Sequence, residues 1–437
     1  MRATVVGGGL AGCEAAWALA QRGVAVTLIE MRPIVSTPAH QTDQLAEIVC
    51  SNSFKSTEIT NAHGLLKAEL RLLGSLLLDV ADSARVPGGA ALAVDRHVFS
   101  AGVTAKISDH PRIEVQRREA VDLSPPAVVA TGPLTSDRLA RVICGQLGTK
   151  SLAFFDAIAP IVSSESLDWS ELYRLSRYGK GGGTDYVNAP FNEDQYYSFV
   201  SALCDADQHA GHEFDKVPYF EGCLPIEEQA RRGAETLRFG PMKPVGLPDP
   251  RTLQEPFAVV QLRQEDTAGQ MWNLVGFQTR LKIAAQKEIF RLVPGLQSAE
   301  FLRFGSVHRN TYLKSPAALT PYLSARHHES LLFAGQMVGV EGYTESLGTG
   351  LLAGINLARM LHGDQPVVPP PETMLGGLLH YINEADPEHF QPMNANLGLL
   401  APLESPVKSK QEKRRLLATR ALTTMRYLAM SLTPQRA

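Results

Sequence analysis

The chain opens on an apolar run, Ala3–Val6, that stops at Gly7-Gly8-Gly9-Leu10-Ala11-Gly12 and passes into a helical pattern reaching Gln21. Gly23 stands where a left-handed helix end is wanted, and a second apolar run, Val24–Ile29, ends at Glu30. Short continuous apolar runs bounded by glycine predict buried strands, so the opening is a strand–helix–strand unit. Farther on, Leu65–Leu78 predicts a helix, and Ile113–Val115 and Val128–Ala130 predict strands. Ser136 caps a helix through Leu147, with Leu139, Val142, Ile143 and Leu147 on one face. From about residue 151 to 304 the pattern changes to more aromatics and proline-containing turns, without strand–helix alternation. The alternation resumes with a strand at Leu331–Ala334, and Gly348-Thr349-Gly350 opens a helix expected over Gly350–Leu361. A last helix is predicted from Ser405-Pro406 to about Leu432. The expected class is α/β: a Rossmann-like domain made of residues 1–150 and 305–437, interrupted by an inserted α+β domain at 151–304.

Composition narrows the picture. The chain has 437 residues, 44% apolar and 20% charged, enough for packed cores and unlike a disordered chain. A net charge of −3 speaks against a polyanion-coating protein, but Ala401–Ala437 alone carries +6, leaving −9 for the rest. The five cysteines (Cys13, Cys50, Cys144, Cys204, Cys223) are odd in number and lack CxxC spacing. They argue against a disulfide framework or a metal site and for a reducing compartment. The start runs straight into a strand, so no signal peptide is expected. No apolar stretch of about 18 residues suggests a membrane span. A cytoplasmic enzyme is the expectation, with no obligate protein partner evident.

Gly7, Gly9 and Gly12 form G-x-G-x-x-G between a strand and a helix, and Glu30 ends the next strand. Glycines let the backbone approach a pyrophosphate, the helix start offers free N–H groups, and the carboxylate can bond a ribose. Gly7, Gly8, Gly9, Leu10, Ala11, Gly12 and Glu30 are therefore candidate cofactor residues, joined by Thr131 and Gly132 after a later strand. Glu30 disfavours a 2′-phosphate, which leaves FAD or NAD. The late strand followed by Gly335 and Gln336, with a helix returning to the cleft, favours FAD; the plainer reading of its glycines is helix packing.

Cys50 and Cys223 lie in polar turns and are candidates for reactive thiols, although a loop cysteine is often incidental. Cys13 and Cys144 read as core packing. The Gly179–Gly183 segment lacks P-loop spacing and reads as a mobile loop. Arg231 and Arg232 are basic residues among aromatics and glycines. The terminal helix, with Lys408, Lys413, Arg414 and Arg415, carries Ala418, Leu422, Met425, Ala429 and Leu432 at heptad-like spacing. One stripe can dock while the basic face meets phosphates, or the basic face is simply solvated.

Gly7–Gly12, Val49-Cys50-Ser51-Asn52-Ser53 and Phe220-Glu221-Gly222-Cys223-Leu224-Pro225-Ile226-Glu227-Glu228 resemble the folate- and FAD-dependent tRNA uracil-5-methyltransferases, the TrmFO family. So do the blocks Leu237–Gly246, Asn273–Thr279, His308–Thr311 and Gly335–Tyr343, in register from residue 1 to about 360. One departure is the run Lys180-Gly181-Gly182-Gly183, where the family usually has an acidic residue. The resemblance implies a glutathione-reductase-type FAD domain and methylation of C5 of the T-loop uridine (position 54) of tRNA. Methylenetetrahydrofolate would give the carbon, and FADH2 regenerated by NAD(P)H the electrons. It implies thiol work for Cys50 and Cys223, cofactor contacts for Gly342 and Tyr343, and a flavin–folate face lined by His308 and Asn310. Given a tRNA substrate, the basic residues Arg231 and Arg232 and the basic terminal helix are the candidates, by charge, to meet it. With no second dinucleotide fingerprint, NAD(P)H would dock only transiently. The rivals are a wobble-uridine enzyme of the related MnmG family, an NAD(P)H-dependent flavin oxidoreductase of small molecules, and a non-catalytic binding protein.

Overall fold

The computed structural model describes residues 1–37, 39–148, 152–207, 224–388 and 390–432, with backbone alone at 152–158 and 306–311. Five parallel strands form the main sheet in the order His328–Phe333, Ala127–Val129, Arg2–Val6, Ala25–Glu30 and Ile113–Arg117. Ser324–Ala325 pairs antiparallel at one edge. Counted along the chain, the parallel strands lie 3-2-1-4-5, the doubly wound order that leaves a crevice at the carboxyl end of the first strand. Val5, Leu28, Val128 and Leu332 are wholly buried, as strands covered on both faces require.

Helix Leu10–Gln21 crosses helix Tyr343–His362 backbone to backbone. A Cβ on Gly350 would overlap the Ala11 carbonyl, and one on Gly354 would lie 2.6 Å from the Ala15 carbonyl oxygen. This corrects the expected helix start. Gly348 and Gly350 do not open the late helix; they lie inside it, and it begins two turns earlier at Tyr343. The helix expected over 65–78 is also two, Ala62–Leu72 and Leu76–Ser83, because Gly74 takes φ +85° between them. Ser75 caps the second by accepting from Leu78 N, and the buried carboxylate of Glu14 accepts from Leu77 N at 3.0 Å. The apolar period runs across the break because both helices face one core.

A second sheet of six strands runs Tyr173–Arg174, Tyr186–Phe191, Ala258–Gln264, Met271–Leu274, Ile161–Ser163 and Phe301–Arg303, all antiparallel. It has its own core, including Phe191, Phe199, Trp272, Phe277 and Phe290. The chain reaches and leaves it along a ribbon in which Leu152–Ile158 pairs with Ser306–Tyr312. A small sheet of Ser53–Ser56, Ala91–Val94 and Arg85–Val86 follows the Cys50 loop.

The terminal helix is Lys410–Leu432, starting later than Ser405-Pro406. Ser409 supplies the capping oxygen, accepting from Glu412 N at 3.3 Å. Leu417, Ala418, Ala421, Met425 and Leu432 are buried, and the helix packs on Ala62–Leu72. Cys13 is fully buried, whereas Cys144 is half-buried at the edge of its helix rather than in the core. Among the described residues, no helix is long and apolar enough to cross a membrane.

Candidate active site

A cleft opens over the carboxyl ends of the central strands. Gly7, Gly9, Leu10 and Ala11 line it from the opening turn, Glu30 and Arg32 from the second strand and its exit, and Thr131 and Gly132 from the strand Ala127–Val129 side. Gly335, Gln336, Tyr343 and Ser346 close it from the late segment. Gly7 has φ +101°, and a Cβ there would lie 2.6 Å from the Ala130 carbonyl oxygen. A Cβ on Gly9 would meet no protein atom within 4 Å, which leaves free space at the start of helix Leu10–Gln21. Gly8, Gly12 and Gly342 stand behind this lining. Gly8 N donates to Glu30, Gly12 packs on the Gly7 carbonyl, and Gly342 precedes the late helix with φ +121°.

Glu30 is held as an anion. Its Oε2 accepts from Gly8 N at 2.8 Å, while Oε1 accepts from Arg32 N at 3.0 Å and Arg32 Nε at 2.9 Å. Burial works against the charge, but the Arg32 guanidinium and these N–H groups outweigh it and hold the carboxyl below its ordinary range. Arg32 in turn pairs with Glu47 Oε2 at 3.0 Å. The sequence reading missed this brace, although Arg32 lies two residues past Glu30. The open space at Gly9, a helix start beside it, a fixed carboxylate and a second helix start at Tyr343 fit an adenine dinucleotide with its ring at the late end.

Beyond that end stands Cys50. The Tyr343 hydroxyl oxygen accepts from Cys50 N at 2.9 Å and Ser51 N at 3.2 Å, and lies 2.8 Å from Cys50 Sγ. A phenol has one proton and two lone pairs. With both lone pairs taken by backbone N–H groups, the O–H donates to the sulfur, a bond that favours thiolate over thiol. Burial, then the neighbouring sulfur, pushes the Tyr343 pKa well above its usual value, so the proton stays on oxygen. Tyr343 thus touches the cleft and the Cys50 loop at once. A separation of 293 residues hid this pairing from sequence patterns.

Other expected residues fall elsewhere. Cys223 lies outside the described residues. His308 and Asn310 sit in the ribbon strand, in register with Asp156 and Phe154, where side chains are not described. Arg231 pairs with Glu228 at 2.8 Å and donates to the Cys204 carbonyl, and Arg232 follows it on the surface. Lys408, Lys413 and Arg414 are exposed, while Arg415 pairs with Glu412 at 2.6 Å; none lines the cleft. The Gly179–Gly183 segment is a docked turn. Lys180 Nζ meets Glu58 at 2.7 Å, Asp185 accepts from Gly89 N at 2.6 Å, and Tyr186 OH donates to the Gly88 carbonyl at 3.1 Å.

These features define a class, the doubly wound dinucleotide-binding proteins whose late strand and helix return to the cleft. The family model described as "Glucose inhibited division protein A" matches residues 2–365. The structure of Aquifex aeolicus GidA aligns with a TM-score of 0.71 at 17% identity, over 99% of this chain and 73% of that one, which establishes the shared fold. The chain is 55% identical over 423 residues to a protein of Geotalea daltonii, covering 96% of each. It is 53% identical over 426 residues to one of Anoxybacillus flavithermus, covering 97% of this chain and 98% of that one. Both carry the name "Methylenetetrahydrofolate--tRNA-(uracil-5-)-methyltransferase TrmFO". The chain belongs to the glucose inhibited division protein A family, in its TrmFO branch.

Proposed function

We propose that the chain methylates C5 of the T-loop uridine, position 54, of tRNA, taking the carbon from methylenetetrahydrofolate. The observation that carries this reading is the Tyr343 hydroxyl bonded to Cys50 Sγ at the end of a dinucleotide cleft. The names of relatives at more than half identity over nearly the whole chain support the substrate and donor. The residues support FAD as cofactor: Glu30 would hold the ribose, Gly9 and the start of helix Leu10–Gln21 the pyrophosphate, and Gly335, Gln336 and Tyr343 the ring end. Bound reduced flavin supplies the two electrons and hydrogen that turn a methylene into a methyl group, and NAD(P)H restores it.

Cys50 does the carbon work in this reading. Its thiolate adds to C6 of uracil, which makes C5 nucleophilic enough to take the one-carbon unit. Loss of the C5 proton to solvent then expels the tetrahydrofolate nitrogen and leaves an exocyclic methylene at C5. Two-electron reduction of that methylene would re-form the C5–C6 double bond and release Cys50 from C6, so the thiol is unchanged overall. Tyr343 holds the sulfur and returns a hydrogen bond to it throughout. Cys223, by resemblance, is the second thiol. His308 and Asn310, from blocks that carry the resemblance, are assigned to the flavin–folate face, and Arg231, Arg232, Lys408, Lys413, Arg414 and Arg415, on their positive charge, to the tRNA. Residues 1–150 and 305–437 make the flavin unit and 151–304 the inserted one, a division supported by two separate apolar cores. A tRNA substrate suits a cytoplasmic location.

The test is purified protein with unmodified tRNA, labelled methylenetetrahydrofolate and NADPH. Label recovered as 5-methyluridine in the T-loop is expected, and Cys50→Ala should abolish it. Label at the wobble position, or NADPH oxidation indifferent to tRNA, would overturn the proposal.

A further inference from the structure

The loop that carries Cys50 is gripped from both ends by buried polar groups, and part of the grip comes from the second sheet. Asn52 is fully buried; its Nδ2 donates to the carbonyls of Val94 at 2.9 Å and Gln264 at 2.8 Å, and its Oδ1 accepts from Arg263 Nε at 2.8 Å. On the other side of the cysteine, Arg96 Nη1 donates to the Ile48 carbonyl at 3.3 Å. The same guanidinium gives Nε, at 3.0 Å, and Nη2 to one oxygen of Glu265. Asp95, beside it, accepts from Thr267 N at 3.0 Å. Residues 263–267, at and just past the end of strand Ala258–Gln264, therefore meet both the Cys50 loop and the start of helix Arg96–Ser108.

Charged and titratable groups from several elements bear on the sulfur or on its neighbours. Tyr343 comes from the late helix, Arg96 from the helix start, Glu265 from behind Arg96, and Arg303 from the edge strand Phe301–Arg303. Burial opposes the charge on Arg96, but Glu265 chiefly, with Tyr343 and Cys50 after it, raises its pKa above the ordinary value. Arg303 feels the same sulfur, yet burial and the Arg96 charge lower its pKa. Both guanidiniums thus feel the thiol electrostatically, and Arg96 is paired with the Glu265 carboxylate. That carboxylate is completely buried, and its Oε1 has no hydrogen-bond partner among the described residues.

We infer that Arg96 is a positioning residue for Cys50: it fixes the backbone before the cysteine and supplies the positive charge that favours the thiolate, while Glu265 of the second sheet moderates that charge. The inference rests on the reading of Cys50 as the working thiol. It assigns opposite effects to the two members of one ion pair. Losing Arg96 removes a favourable charge, so the thiol titrates higher; losing the Glu265 charge leaves Arg96 uncompensated, so it titrates lower. Gln at 265 keeps an oxygen facing Arg96 and puts its amide nitrogen where the carboxylate already lacks a partner.

The test is iodoacetamide labelling of the full-length, FAD-loaded protein across a pH series, with the Cys50 peptide quantified by mass spectrometry. Arg96→Met should raise the labelling midpoint by about one pH unit, close to a tenfold loss of labelling near neutrality. Glu265→Gln should lower the midpoint, and Arg96→Lys should bring it back toward the native value. Midpoints that stay put, or that move the same way in Arg96→Met and Glu265→Gln, overturn the inference. Should Arg96→Met lose its flavin, Arg96→Lys and Glu265→Gln still decide: a midpoint unmoved by Glu265→Gln is fatal. Full methylation by Cys50→Ala would sink the functional reading instead, and labelling of Cys50 would still report on Arg96.

Discussion

At Tyr343 one oxygen serves three groups, two backbone N–H donors and a sulfur. Tyr343→Phe leaves both donors without an acceptor, a cost of about 1–3 kcal/mol per buried group, and removes the bond that favours thiolate. Methylation should fall by roughly ten- to a hundredfold, while the absorbance of bound flavin stays; unchanged turnover would show that the hydroxyl is idle. Glu30→Ala acts at the other end of the cleft, stripping Gly8 N and Arg32 of their acceptor. Flavin retention should weaken by roughly tenfold or more, read by fluorescence on dilution. The contrast between these residues explains what was legible. Gly7, Gly9 and Glu30 act through local spacing that a strand–helix–strand unit dictates, so the sequence displays them. Cys50 and Tyr343 meet through tertiary folding across 293 residues; resemblance pointed to each separately, and nothing in the sequence paired them.

Elements were legible where apolar period and punctuation agreed, as at Leu10–Gln21 and Asp137–Leu147. They were misjudged where glycine served packing instead of punctuation. Gly350 reads as a helix opener because glycine is flexible, yet it lies mid-helix because the Ala11 carbonyl leaves no room for a Cβ. Gly350→Ala should therefore separate two helices and disturb the turn at Gly7–Gly12. A loss of about 1–3 kcal/mol, seen as a lower melting temperature and lower flavin content, is expected. Gly145→Ala is the matched control. It sits in helix Asp137–Leu147, is exposed, and a Cβ there meets nothing within 4 Å. It should gain about 0.5–1 kcal/mol. Equal effects from the two substitutions would contradict the close crossing.

Across the whole molecule, buried charge sets a pH dependence. Burial pushes Glu14 up to about 7 and Glu69 up to about 8, although both accept N–H bonds at helix starts. A raised carboxyl holds a proton in the folded chain that the unfolded chain releases near its ordinary value. Stability is therefore full below that value and falls as pH rises toward 7 and 8. Burial lowers Lys67 to about 7, which works the other way, adding stability as pH climbs from there toward its ordinary value. Glu69→Gln should thus gain on the native protein as pH rises, by on the order of a few kcal/mol, in melting curves taken at about pH 5 and pH 8.5. A gap that does not change with pH would mean that Glu69 titrates normally.

The cleft also has a schedule. Its opening turn and its closing segment, Gly335 to Ser346, are more than 300 residues apart in the chain. At about 5–20 residues per second, a ribosome delivers the second on the order of half a minute after the first. Through that interval the nascent glycine turn and the alanine face of the first helix wait uncovered, without the helix that will lie on them. Flavin therefore meets a complete cleft only once the late segment has been made, and cannot template the early stages of folding.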